Sequence, residues 1–123
     1  KVVKSCCIQA GLPSLKLYNM WYCVNGYKDY NTVHNHHNSI ISGVYYVDIP
    51  QDNMGNIEFY RSDDIEYYMP PLEKYNSFTS QKHSVKPETG LLVLFPGWVK
   101  HGVTPNLTNK ERVSLSFNYG VRK

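Results

Sequence analysis

An all-β fold of the jelly-roll kind is what this 123-residue sequence predicts, and three observations carry the prediction. No segment shows a convincing helical period, short runs of β-branched and aromatic residues recur with turn residues between them, and no repeat appears at a fixed spacing. With 41% hydrophobic and 14% aromatic residues the chain can bury one core, so residues 1–123 are expected to form a single domain.

Residues 1–14 are ambiguous and end at Gly11-Leu12-Pro13. Leu15 to Val24 reads as a strand rich in aromatics, broken by Asn25-Gly26, a pair suited to a tight turn because both residues tolerate positive φ. A linker, Tyr27 to Tyr30, leads into Asn31-Thr-Val-His34-Asn-His36-His37-Asn38-Ser39, and this polar stretch runs into a buried strand over Ser42 to Ile49 that stops at Pro50. Gln51 to Gly55 is expected to turn, and Asn56 to Arg61 alternates polar and apolar residues as a half-buried strand does.

Ser62 to Lys82 is a polar connection containing Pro70-Pro71, too long for an ordinary loop in a compact domain. Its Tyr67, Tyr68, Tyr75 and Phe78 suggest either a lid over a pocket or aromatics packed beneath the loop. Pro87 to Gly90 turns, Leu91 to Pro96 reads as a fully buried strand, Gly97 to Lys100 turns the corner, and His101 to Pro105 opens a short strand. After a polar turn over residues 106–111, Arg112, Ser114, Ser116 and Asn118 alternate with Val113, Leu115, Phe117 and Tyr119. A strand with one polar face lies either on the outer surface or along a polar cavity.

Three of the five histidines fall within four positions. Neutral imidazole is the commonest metal ligand, and in an extended segment residues i and i+2 share a face, so His34 and His36 can reach one ion while His37 points away. A polar loop without a metal is the other reading of that pair. A metal site needs a third ligand, and a jelly roll lays strands distant in sequence side by side, so His101 can supply it. Asp29, Asp48 and Asp52 are the nearby carboxylates. His83 is expected to be solvated on a loop, and Trp21 and Tyr22 are expected in the core, with a place along a pocket as the alternative.

The net charge of +3 is mild and the basic residues are scattered, so no nucleic-acid or membrane partner is indicated, while a small anionic substrate is compatible. Three cysteines, Cys6, Cys7 and Cys23, do not make a disulfide framework, and the odd number points to a reducing, cytoplasmic setting. The longest apolar run, Leu91 to Phe95, is far too short to span a bilayer, no leader opens the chain, and the missing initiator Met suggests a fragment of a longer protein. Asn106-Leu107-Thr108 matches the glycosylation acceptor pattern, which carries no weight in the cytoplasm.

Taken together, His34-x-His36, Asn38-Ser39, Ser42-Gly-Val-Tyr-Tyr46, Gly90-Leu-Leu-Val-Leu-Phe-Pro96, His101-x-Val103-x-Pro105 and Arg112-x-Ser114-x-Ser116-Phe-Asn118 form an ordered set of blocks. The set resembles the iron(II)/2-oxoglutarate-dependent dioxygenase superfamily and, more narrowly, small oxygenases of that kind from phages and marine bacteria. The resemblance implies a double-stranded β-helix, Fe(II) held by His34, His36 and His101, and Arg112 forking onto the distal carboxylate of 2-oxoglutarate with two parallel hydrogen bonds that Lys could not make. Tyr46, with Ser114 or Ser116, would add hydroxyl donors.

One departure from the superfamily stands out. Its usual triad is two histidines and one carboxylate, and here His36 occupies the carboxylate position. Three neutral imidazoles leave a divalent ion at formal +2 instead of +1, which strengthens attraction to a dianionic cosubstrate and makes high-valent iron harder to reach. The implied activity is hydroxylation of an unknown prime substrate coupled to decarboxylation of 2-oxoglutarate. The alternatives are a three-histidine dioxygenase of the cupin type that takes no 2-oxoglutarate, and a ligand-binding jelly roll without catalysis. Oligomeric state and prime substrate are not legible.

Overall fold

Runs of aromatic and β-branched residues without helical spacing become strands, and their lengths follow the turn residues that interrupt them. The computed structural model describes residues 1–63, 73–74, 76 and 80–121. Among these, a helix α1 (Val2–Gln9) precedes β1 (Lys16–Asn25), β2 (Asn31–His34), β3 (Ile41–Asp48), β4 (Ile57–Tyr60), β5 (Lys82–Val85), β6 (Leu92–Pro96), β7 (Lys100–Val103) and β8 (Arg112–Gly120). The strands make two four-stranded antiparallel sheets, ordered β1-β8-β3-β6 and β2-β7-β4-β5. From β1 to β4, and again from β5 to β8, the chain alternates between the two sheets, which is the jelly roll expected from the sequence.

Val44 and Tyr46 of β3 and Ile57 of β4 form the buried core, with Phe59, Val93, Phe95 and Val103 packed against them from both sheets. Burying each such side chain stabilises the fold by roughly 1.5–3 kcal/mol. The polar face of β8 turns inward: Arg112, Ser114 and Asn118 are buried, so the strand runs along a cavity and not over the outer surface.

Several expectations are corrected. Residues 2–9 form a helix, unannounced because it is two turns long and buries only Cys7, leaving no apolar stripe for a period to register. The turn after β1 does not place Asn25 or Gly26 at positive φ; Lys28 takes it (φ 69°), and the turn closes through Asp29 N–H to the Gly26 carbonyl at 3.1 Å and Gly26 N–H to Asp29 Oδ2 at 2.8 Å. β6 is half-buried, not fully buried, because among the described residues it is an outer strand of its sheet. β5 was not expected, since Lys82-His83-Ser84-Val85 offers one apolar side chain, yet it pairs with β4 from Ile57↔Val85 to Tyr60↔Lys82. His83 therefore lies on an edge strand and not on a loop, although it is exposed as expected. Tyr22 is exposed, not in the core, for β1 is also an outer strand.

The aromatics Tyr67, Tyr68, Tyr75 and Phe78 of the expected lid lie outside the described residues. Asn106 of the acceptor pattern is fully buried, donating to the carbonyls of Asn25 and Lys110 and accepting from Thr108, so its amide is a loop brace and not a glycosylation point. The three cysteines are free thiols, and no helix among the described residues is long and apolar enough to cross a membrane.

Candidate functional site

His34 closes β2 and stands directly opposite His101 of β7 in the antiparallel register. A bulge sets that pairing. Asn31 faces Val103, so an unbroken ladder would bring Val33 opposite His101; one extra residue in β2 replaces it with His34. Beyond the strand, the His36 N–H donates to the Gly97 carbonyl at 2.9 Å, which returns the chain toward the cavity without a continued ladder. Gly97 permits this close approach: a Cβ there would collide with the Ser39 carbonyl.

The three imidazoles converge. Their ligand atoms lie within 4.8 Å of one another, and Nε2 of His36 and Nε2 of His101 are 3.2 Å apart. Two nitrogens each about 2.1 Å from one ion, at right or tetrahedral angles, stand roughly 3.0–3.4 Å apart, so the His36–His101 spacing suits a shared metal. Nδ1 of His34 and of His101 donate to the carbonyls of Thr32 (2.6 Å) and Val99 (2.8 Å), which fixes the tautomer and leaves Nε2 as the free lone pair. His37 is exposed and outside the cluster.

Phe95 meets the His101 ring edge-on with centroids 4.6 Å apart, and Phe59 lies beyond at 6.1 Å. That apolar wall leaves His101 only 4% exposed, and the loss of water pushes its pKa down to about 4, with the other imidazoles adding to the shift and the Val99 carbonyl opposing it. Burial, then the neighbouring His34, lowers His36 in the same direction. Both imidazoles are neutral at physiological pH, the form that binds a metal.

The same cavity, of about 500 Å³, is lined by Arg112, Tyr46 and Ser114. Arg112 is 2% exposed and its Nη1 donates to the Met54 carbonyl at 3.0 Å, while its buried Nε has no partner and no carboxylate pairs with it among the described residues. Burial lowers the Arg112 pKa, with the adjacent Tyr46 opposing the shift, yet a guanidinium stays charged in proteins. Burial pushes the Tyr46 phenol up to about 12, against the pull of Arg112, so its hydroxyl keeps its proton. A lone buried cation next to a hydroxyl donor is a receptor for an anionic group. Gly55 holds the Met54 turn in place at φ 91°, where a Cβ would strike the Thr104 carbonyl and come within 3.0 Å of Arg112 Nη1.

Cys23, Tyr30 and Thr32 are among the lining residues that the sequence does not mark as site residues. The i/i+2 alternation along β1 places Cys23 on the face of Trp21, which lines the cavity and does not join the core; Met54, which acts through its backbone carbonyl, leaves no sequence signal. On the far side, Ser42 Oγ donates to Asn118 Oδ1 (2.6 Å) and Asn118 Nδ2 to Asn19 Oδ1 (2.8 Å), tying β3, β8 and β1 together behind the cavity. None of the three nearby aspartates joins the imidazoles: Asp29 caps its own turn, Asp52 pairs with Lys86 at 2.8 Å, and Asp48 is exposed.

Solved structures share this architecture. A prolyl-4-hydroxylase from Pseudomonas putida superimposes with a TM-score of 0.62 at 21% identity, over 87% of this chain and 54% of that one. The non-heme alpha ketoglutarate dependent epimerase SnoN from nogalamycin biosynthesis gives 0.71 at 15% identity, over 97% and 52%. HygX from Streptomyces hygroscopicus, solved with nickel and 2-oxoglutarate bound, gives 0.61 at 15% identity, over 86% and 56%. At these identities the likeness shows the fold, and the chain spans about half the length of each of these proteins. No curated protein matches the chain. The family described as "Putative 2OG-Fe(II) oxygenase" matches residues 19–118, which is 100 of the 123 residues and contains all three imidazoles and Arg112, and the chain belongs to that family.

Proposed function

We propose that residues 1–123 form the oxygenase domain of an Fe(II)- and 2-oxoglutarate-dependent enzyme, with His34, His36 and His101 as metal ligands and Arg112, Tyr46 and Ser114 as the residues that hold the cosubstrate. The observation that carries the proposal is the presence in one cavity of three converging imidazoles and a buried guanidinium with no carboxylate partner among the described residues. Each turnover would consume O₂ and 2-oxoglutarate and release succinate and CO₂, one oxygen atom entering succinate and the other replacing a hydrogen of the prime substrate with a hydroxyl. Bound iron would supply the O₂ chemistry.

The chain's own residues orient and shield. Thr32 and Val99 aim two imidazoles through their Nδ1 protons, Phe95 and Phe59 keep water from His101, and Arg112 with the protonated Tyr46 hydroxyl offers donors to a distal carboxylate. A cytoplasmic location fits the free thiols.

The test is succinate release from 2-oxoglutarate by iron-loaded protein with ascorbate across a panel of candidate substrates, run beside metal analysis. Stoichiometric iron with 2-oxoglutarate-dependent succinate is expected. A second reading, favoured by the lack of a carboxylate among the clustered ligands, is a three-histidine dioxygenase that binds its substrate directly to iron. Iron binding with no affinity for 2-oxoglutarate would select it, and protein that takes up no iron would select a non-catalytic jelly roll.

A further inference from the structure

We infer that Asn25 is a positioning residue for the cosubstrate: its side-chain carbonyl, opposite Arg112 across β1 and β8, takes the guanidinium Nε–H and sets the plane in which the fork meets the distal carboxylate. This rests on the oxygenase proposal above.

The strand period puts Asn25 on the right face. Trp21 and Cys23 of β1 line the cavity and Val24 is exposed, so the next residue turns inward again, and Asn25 is buried. It ends β1, and the antiparallel register sets it against Arg112, the first residue of β8. Side chains directly opposite on such a pair have Cβ atoms about 4.5–5.5 Å apart, a gap that an Asn amide and the stem of an Arg can close between them.

The two facing residues hold two complementary unpaired atoms. Among the described residues, Asn25 Oδ1 and Arg112 Nε are the buried side-chain atoms without a hydrogen-bond partner; one is an acceptor and the other a donor. Burying either alone costs free energy, and bonding them to each other removes both costs at once. Arg112 is otherwise held at one corner, where Nη1 donates to the Met54 carbonyl at 3.0 Å. A planar group held at one corner can pivot about it. A second hold at Nε fixes the plane and leaves Nη2 and the other Nη1 proton as the parallel donors that a carboxylate takes.

The backbone beneath this pair is already braced. Asn106, fully buried, donates from Nδ2 to the Asn25 carbonyl at 3.0 Å and to the Lys110 carbonyl at 2.8 Å, which ties the end of β1 to the approach to β8. The main chain of Asn25 is therefore fixed while its buried carbonyl oxygen stays unbonded. Seating a carboxylate on the fork aligns the guanidinium, and Nε–H then meets Oδ1.

The experiment is calorimetric titration of zinc-loaded protein with 2-oxoglutarate. Asn25→Leu keeps the size of the side chain and removes the amide; it should weaken binding roughly tenfold, the worth of one hydrogen bond to a charged group. Its zinc content and urea midpoint should be no lower than the parent's, because Oδ1 has no bond to lose. Asn25→Asp should weaken binding further, since a carboxylate at that position takes Nε–H and also cancels the charge. The deciding arm is the cycle with Arg112→Lys, whose side chain has no Nε–H: in that background Asn25→Leu should change affinity by less than about twofold. The inference is overturned if Asn25→Leu or Asn25→Asp binds 2-oxoglutarate as the parent does, or if Asn25→Leu costs as much in Arg112→Lys as in the parent, the mark of a merely structural role. A parent protein that binds no zinc or no 2-oxoglutarate overturns the oxygenase proposal instead.

Discussion

Arg112→Ala removes the one buried cation that has no carboxylate partner among the described residues, and the size of its effect follows from what surrounds it. Among the described residues its one hydrogen bond runs from Nη1 to the Met54 carbonyl, so the rest of the fork is available to a distal carboxylate. Hydrogen bonds to charged groups are worth about 1.5–3 kcal/mol each, and truncating one partner of a buried charge pair costs about 2–5 kcal/mol. A loss of about 3–4 kcal/mol is therefore expected, a weakening of 2-oxoglutarate binding of roughly 100- to 1,000-fold at 1.4 kcal/mol per decade. Arg112→Lys keeps the charge but not the planar fork and should fall between the two. Calorimetry of 2-oxoglutarate with zinc-loaded protein measures this apart from turnover, with metal content checked in each variant. Binding by Arg112→Ala within threefold of the parent, with zinc retained, would refute the anchoring role.

Three more expectations follow. His34→Ala, His36→Ala and His101→Ala should each lower metal stoichiometry by at least tenfold at micromolar metal, while His37→Ala and His83→Ala leave it unchanged in the same assay, because neither of those rings joins the cluster. In chelator-treated protein, acid should destabilise the fold through His101: its folded pKa of about 4 lies below the unfolded value of 6.5, so stability is full above 6.5 and is lost as pH falls toward 4. The loss is at most about 3 kcal/mol, read as the difference in urea midpoint between parent and His101→Gln at each pH. Gly55→Ala should cost more than about 2 kcal/mol in urea unfolding, since it strains a positive φ and drives a methyl group toward the Thr104 carbonyl; a melt like the parent's would show that the loop relaxes freely.

Most of the site was legible because its signals are local. The His34-x-His36 spacing needs only the two-residue period of extended chain, and the alternation from Arg112 to Tyr119 declared a polar face whose inward turn the second sheet then decided. What escaped has no local signature. The bulge that swaps Val33 for His34 opposite His101 is a property of two strands 67 residues apart, as residues 34 and 101 show. β5 and the half-burial of β6 have no local signal because burial depends on a strand's place in the sheet, and an outer strand can be as apolar as Leu92-Val-Leu-Phe95 or as polar as Lys82-His-Ser84. α1 escaped because eight residues with one buried side chain carry no periodic message.

The His34–His101 pairing also bears on how the protein breathes. β2 is a four-residue margin strand with exposed side chains, and among the described residues β7 is the one strand that pairs with it. Under the proposed metal assignment, an ion held by one imidazole from each of those strands would act as a rivet across the seam, so that fraying of the margin and escape of the metal would be a single coupled equilibrium. Amide hydrogens of residues 31–34 should then exchange faster when the rivet is pulled by a chelator, while those of β3 and β8 in the opposite sheet keep their pace.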